Sequence, residues 1–142
     1  MEKRRNPVRR RARALGVARS ALGALAALVC TGTAACELPP GTRVESARVA
    51  LTYRTLPEKI AVGQHFVLEL AACSKQGKAL PERIVLDAHM PEHRHGMNYR
   101  TKVTPRGAGR YSSEGWLFHM PGRWEFRFDL GGERLTHSVH IE

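Results

Sequence analysis

Between positions 89 and 97 the chain reads His89-Met90-Pro91-Glu92-His93-Arg94-His95-Gly96-Met97, and a shorter echo follows at His119-Met120-Pro121-Gly122. Three of the four methionines and four of the seven histidines fall in these two stretches. Imidazole suits copper, zinc and nickel, whereas a thioether is a soft ligand that selects chiefly Cu(I). A mixed His/Met set therefore fits copper better than zinc, which prefers His, Cys and carboxylate. His93 and His95, two residues apart, project to one side of an extended segment and would share an ion. Met97 adds a third donor after Gly96, and His119 a fourth from a neighbouring loop. Met90 and Met120 are further ligand candidates, but each also continues an apolar face, that of Ile84, Leu86 and Ala88 or that of Trp116 and Phe118. Core packing competes with ligation at both. His89 falls on an outward face beside Asp87 and reads as solvated. His137 shares the face of Leu135, Val139 and Ile141 and reads as packed and hydrogen-bonded, while His65 and His140 read as surface residues.

Positioning these side chains falls to strands. Period-two alternation is clearest in Arg123-Trp124-Glu125-Phe126-Arg127-Phe128-Asp129-Leu130, aromatic on one side and charged on the other. Strand signals recur at 44–54, 65–72, 83–89, 99–104, 110–118, 123–130 and 134–141, with a bulge expected within Ser112 to Gly115. Gly131-Gly132 supplies a tight hairpin, and Pro121-Gly122 fits the centre of a type II turn. No amphipathic helix of useful length follows the amino-terminal segment. The expected fold is all-β, an immunoglobulin-like antiparallel sandwich of about seven strands over residues 44–142. If successive strands run antiparallel, the loops bearing His93–Met97 and His119–Met120 share one end of the domain, with Cys73 and Gly131-Gly132 at the other.

The first 36 residues carry a separate message. A cationic stretch from Lys3 to Arg13, an apolar run from Ala21 to Cys30 and the small residues before Cys36 follow the order of a secretory signal peptide. The run is roughly half of the 20 residues that a spanning helix needs. Thr33-Ala34-Ala35-Cys36 resembles a lipoprotein cleavage site, with Cys36 as the lipid attachment and residues 37–43, rich in Pro and Gly, as a tether. A Cys36–Cys73 disulfide is the alternative in an oxidising compartment. The leader holds eight of the 23 Lys and Arg and one of the 13 acids. Fifteen basic against twelve acidic residues then remain, so the charge of +10 falls to +3 and gives no ground for nucleic-acid binding.

The segments Met90-Pro91-x-His93-x-His95-Gly96-Met97, Gly109-x-Tyr111 and Phe118-x-Met120-x-Gly122-x-Trp124 together resemble the YtkA-like domain family, small exported bacterial proteins with an immunoglobulin-like β fold. The resemblance runs from about Val49 to Ile141. It implies a place in the cell envelope or periplasm and a role in metal handling, with copper foremost, and it picks out Met90, His93, His95, Met97 and Met120. His119 rests on the loop-end argument alone. The expectation is a lipid-anchored Cu(I)-binding or delivery protein that serves a copper-accepting envelope protein. The rival is a non-metal immunoglobulin-like module that engages a protein partner through Trp116, Trp124 and the basic residues near Arg94 and Arg100. An enzyme is not expected, since there is no nucleophile elbow, phosphate-cradling glycine loop or catalytic carboxylate pair.

Overall fold

The alternating segment around Trp124 becomes the central strand of a sheet in a computed structural model, which describes residues 37–142 apart from Glu82. The expected signal peptide, its cleavage site and Cys36 lie outside the described residues. Nine strands occur among the described residues: β1 (Thr42–Glu45), β2 (Val49–Leu56), β3 (His65–Ser74), β4 (Val85–Met90), β5 (His95–Gly96), β6 (Lys102–Gly107), β7 (Arg110–Leu117), β8 (Gly122–Leu130) and β9 (Glu133–Ile141). None of the described residues is helical. All strand pairs are antiparallel, in one sheet of order β1-β2-β3-β7-β6 and a second of order β5-β4-β8-β9.

Period two explains which faces meet. Trp124, Phe126, Phe128 and Leu130 of β8 are buried, while Arg123, Glu125, Arg127 and Asp129 stand on the outer face. Across the layer they meet β2, β3 and β7: the ring of Phe126 lies 5.3 Å from that of Tyr53 and 5.3 Å from that of Trp116. One apolar core is thus shared by two sheets in a sandwich-like arrangement. Burial pushes the Tyr53 phenol up to about 12, and its Oη shares a 2.6 Å hydrogen bond with His137 Nδ1. His137 is therefore the packed, hydrogen-bonded histidine its apolar neighbours suggest.

Nine strands among the described residues replace the seven or so expected, the short β5 being one addition, and other boundaries differ as well. The single strand expected over 44–54 is two, because Ser46 turns the chain: its Oγ accepts from the backbone N–H of Arg48 and of Val49, both at 3.2 Å. The strand expected at 99–104 starts instead at Lys102 and runs to Gly107. The bulge foreseen in the 112–115 stretch is present. Phe66 pairs with Trp116 but Leu68 with Ser113, so Glu114 and Gly115 together oppose Val67. The extra residue switches inward parity from Tyr111 and Ser113 to Trp116 and Phe118, all four buried.

Gly115 makes the bulge possible. Its φ is 85°, and a Cβ there would stand 2.6 Å from the Arg100 carbonyl oxygen. Gly115→Ala is expected to cost about 2 kcal/mol, combining left-handed strain with a backbone clash. A urea denaturation series checks it, and an unchanged midpoint would refute the role given to the bulge.

At the opposite end of the fold Cys73, buried in β3, is disulfide-bonded.

Candidate metal centre

The inward face of β4 ends at Met90, which is fully buried. Residues 91–94 then form a turn closed by Arg94 N–H donating to the Met90 carbonyl at 2.9 Å, with Arg94 in the left-handed region at φ 55°. The chain returns as β5, pairing Met90 with His95 and His89 with Gly96. Met97 N–H donates to the Ala88 carbonyl at 3.3 Å and continues the ladder. Directly opposed residues of an antiparallel pair share a face, with Cβ atoms about 5 Å apart, so register sets Met90 beside His95. The extended segment assumed for His93 and His95 is in fact this turn and strand. Their rings nevertheless lie 5.8 Å apart.

The second loop, between β7 and β8, brings His119 to the same end. Its ring centre lies 5.0 Å from that of His95, the planes inclined by 33°. A metal–nitrogen bond of about 2.0 Å puts an ion roughly 3 Å from each ring centre, so imidazoles sharing it at a tetrahedral angle have centres about 5 Å apart. The pair is at ligand spacing. His95 Nδ1–H donates to the Gly96 carbonyl at 3.0 Å, which fixes the proton there and leaves the Nε2 lone pair for a ligand bond. His119 Nδ1 is buried with no hydrogen-bond partner among the described residues, a state that costs free energy unless something satisfies it.

Trp124 walls this pair. Fully buried, its indole lies 5.9 Å from the His95 ring and 5.4 Å from that of His119, nearly perpendicular to both. It stacks on Phe118 at 4.4 Å and its Nε1–H donates to the Met120 carbonyl at 3.0 Å. Met97 and Met120 are partly buried against the core. The Met90 methyl reaches the start of β8, where a Cβ on Gly122 would come within 2.9 Å of it, and the φ of 120° at Gly122 favours glycine after Pro121. His93, His95 and His119 are thus joined in a chain of ring contacts, with Met90 set beside His95 by register. Among the described residues no group of three or more His, Cys, Asp or Glu side chains could hold one ion, so a centre here with more than two donors would draw on the thioethers.

His89 is not the solvated residue expected. Arg127 Nη2 donates to its Nε2 at 2.5 Å, and its Nδ1 faces Glu125 Oε1 at 3.6 Å. A guanidinium can only donate, so the His89 lone pair is committed and the ring is no ligand. The alternation of β8 put Glu125 and Arg127 on one face, but only the register Asp87 to Arg127 and His89 to Glu125 places them against His89. His65 Nδ1–H donates to the Trp116 carbonyl at 3.2 Å, and its ring meets that of Tyr99 at 5.5 Å. His140 is exposed. The surface around the loop carries the exposed Arg94 and a Glu92–Arg123 ion pair of 3.1 Å. No family model matches the chain, and no curated protein and no solved structure matches it.

Proposed function

We propose that this is an exported cell-envelope protein of the YtkA-like kind that binds Cu(I) and passes it to an acceptor protein. The observation that carries the reading is the His95–His119 pair, 5.0 Å between ring centres and drawn from two separate loops, with the buried His119 Nδ1 lacking a hydrogen-bond partner among the described residues. His95 and His119 would hold the ion, Met90 beside them would supply the soft donor, and Met97 and Met120 flank the pair. Two imidazoles and a thioether suit Cu(I) by softness, and a centre of few ligands suits transfer better than storage. For the fold we infer an immunoglobulin-like topology. The orders β2-β3-β7-β6 and β4-β8-β9 correspond to the four- and three-stranded sheets of that fold, with β1 and β5 as added edges.

A Cu(I) competition titration tests the function. The wild-type chain is expected to take up one Cu(I), and His95→Ala/His119→Ala is expected to lower its affinity by about 100-fold or more. Equal affinity in the double variant refutes the site. The rival interaction module loses its aromatic contacts, because Trp116 and Trp124 are both fully buried and neither ring is available to a partner.

A further inference from the structure

The three imidazoles are graded in exposure. His93 is exposed on the turn of residues 91–94, whereas His95 and His119 are half-buried against the fully buried Trp124. Their ring centres step inward at 5.8 Å from His93 to His95 and 5.0 Å from His95 to His119. Successive pairs share His95, so an ion can remain bound to one nitrogen while it changes its second. The turn that presents His93 is held by the Arg94 N–H bond to the Met90 carbonyl and by the left-handed Arg94. That backbone brace keeps His93 outward while Met90 stays in the core.

We propose that His93 is the transfer ligand: metal passes in and out through the His93–His95 pair and rests at His95–His119. This assignment rests on the copper reading above. On loading, the His93 nitrogen bonds the ion as a donor's ligand leaves, His95 displaces a second donor ligand, and His119 then displaces His93. Each bond formed is matched by one broken. The ion stays Cu(I) throughout, so no oxidant or reductant is needed, and His95 binds through Nε2 with its Nδ1 proton kept on the Gly96 carbonyl. Unloading is the reverse, with the acceptor meeting the metal first at the exposed ring. The resting pair is half-buried, and Trp124 closes its inner side, so the exposed His93 is the most accessible of the three rings.

Rate and affinity separate under this scheme. The purified chain is loaded with Cu(I) and mixed by stopped flow with excess bathocuproine disulfonate, while equilibrium competition with the same chelator gives affinity. His93→Ala is expected to hold affinity within about threefold and to slow transfer by about tenfold or more. His119→Ala is expected to lower affinity by about tenfold or more. Because His93 is exposed on a turn, its replacement leaves the core intact, and a thermal melt confirms folding. A His93→Ala variant with wild-type transfer rate, or with affinity reduced as far as in His119→Ala, overturns the assignment while leaving copper binding in place. A wild-type chain that binds no Cu(I) overturns the copper reading and this proposal with it.

Discussion

Trp124→Ala is expected to destabilise the domain by about 4 kcal/mol, the range found when a large aromatic is cut from a core. Three losses combine. The indole is fully buried, so its removal leaves a cavity at the end of the core. The stack on Phe118, with ring centres 4.4 Å apart and planes within 16°, disappears. The Met120 carbonyl also loses the Nε1–H that reaches it at 3.0 Å. Small domains hold only about 5 to 15 kcal/mol in total, and each kcal/mol moves the melting midpoint of a domain this size by about 4 to 8 °C. A fall of about 20 °C or more in a circular-dichroism melt is the expected reading. Trp124→Phe keeps ring packing and gives up the N–H, so it should lose about 1 to 2 kcal/mol. A midpoint for the alanine variant within a few degrees of wild type would refute the central place of this ring.

The same residue marks where sequence pattern stops being sufficient. Alternation along 123–130 identifies Trp124 as inward, as found. Chain parity also predicts that the loops after β4 and β7 share an end, and the His95–His119 contact agrees. Both inferences use only local period and direction. What they lack is register. That Met90 opposes His95, that His89 meets Arg127 and Glu125, and that Trp124 stands against two imidazoles depend on how strands slide past one another. Single-residue details decide the rest. Ser46 cuts a long strand in two through its hydroxyl, and two residues, His95 and Gly96, suffice for a strand too short to carry any periodic signal. The left-handed Arg94 is equally silent in sequence, since nothing about an arginine announces a positive φ.

Met90→Leu separates the two roles that sequence left open at this position. As a core residue Met90 is fully buried, with its methyl group against Gly122. Leucine has nearly the same volume and should replace it for less than about 1.5 kcal/mol, so the fold survives. As a ligand Met90 is defined by its sulfur, which leucine lacks. Register sets its side chain beside that of His95, with Cβ atoms about 5 Å apart. A buried thioether next to two imidazoles is the feature that would favour Cu(I) over harder ions. Met90→Leu is therefore expected to melt within about 10 °C of wild type while its Cu(I) affinity falls by about 10- to 100-fold. Met97→Leu is the matched control from the same loop: partly buried and lacking the direct pairing with His95, it should lose less. If Met90→Leu folds normally and keeps wild-type Cu(I) affinity, Met90 is a core residue alone and the soft donor must come from Met97 or Met120. If affinity drops while the melt holds, the sulfur rather than the volume is what position 90 contributes, because leucine preserves packing and removes only the thioether.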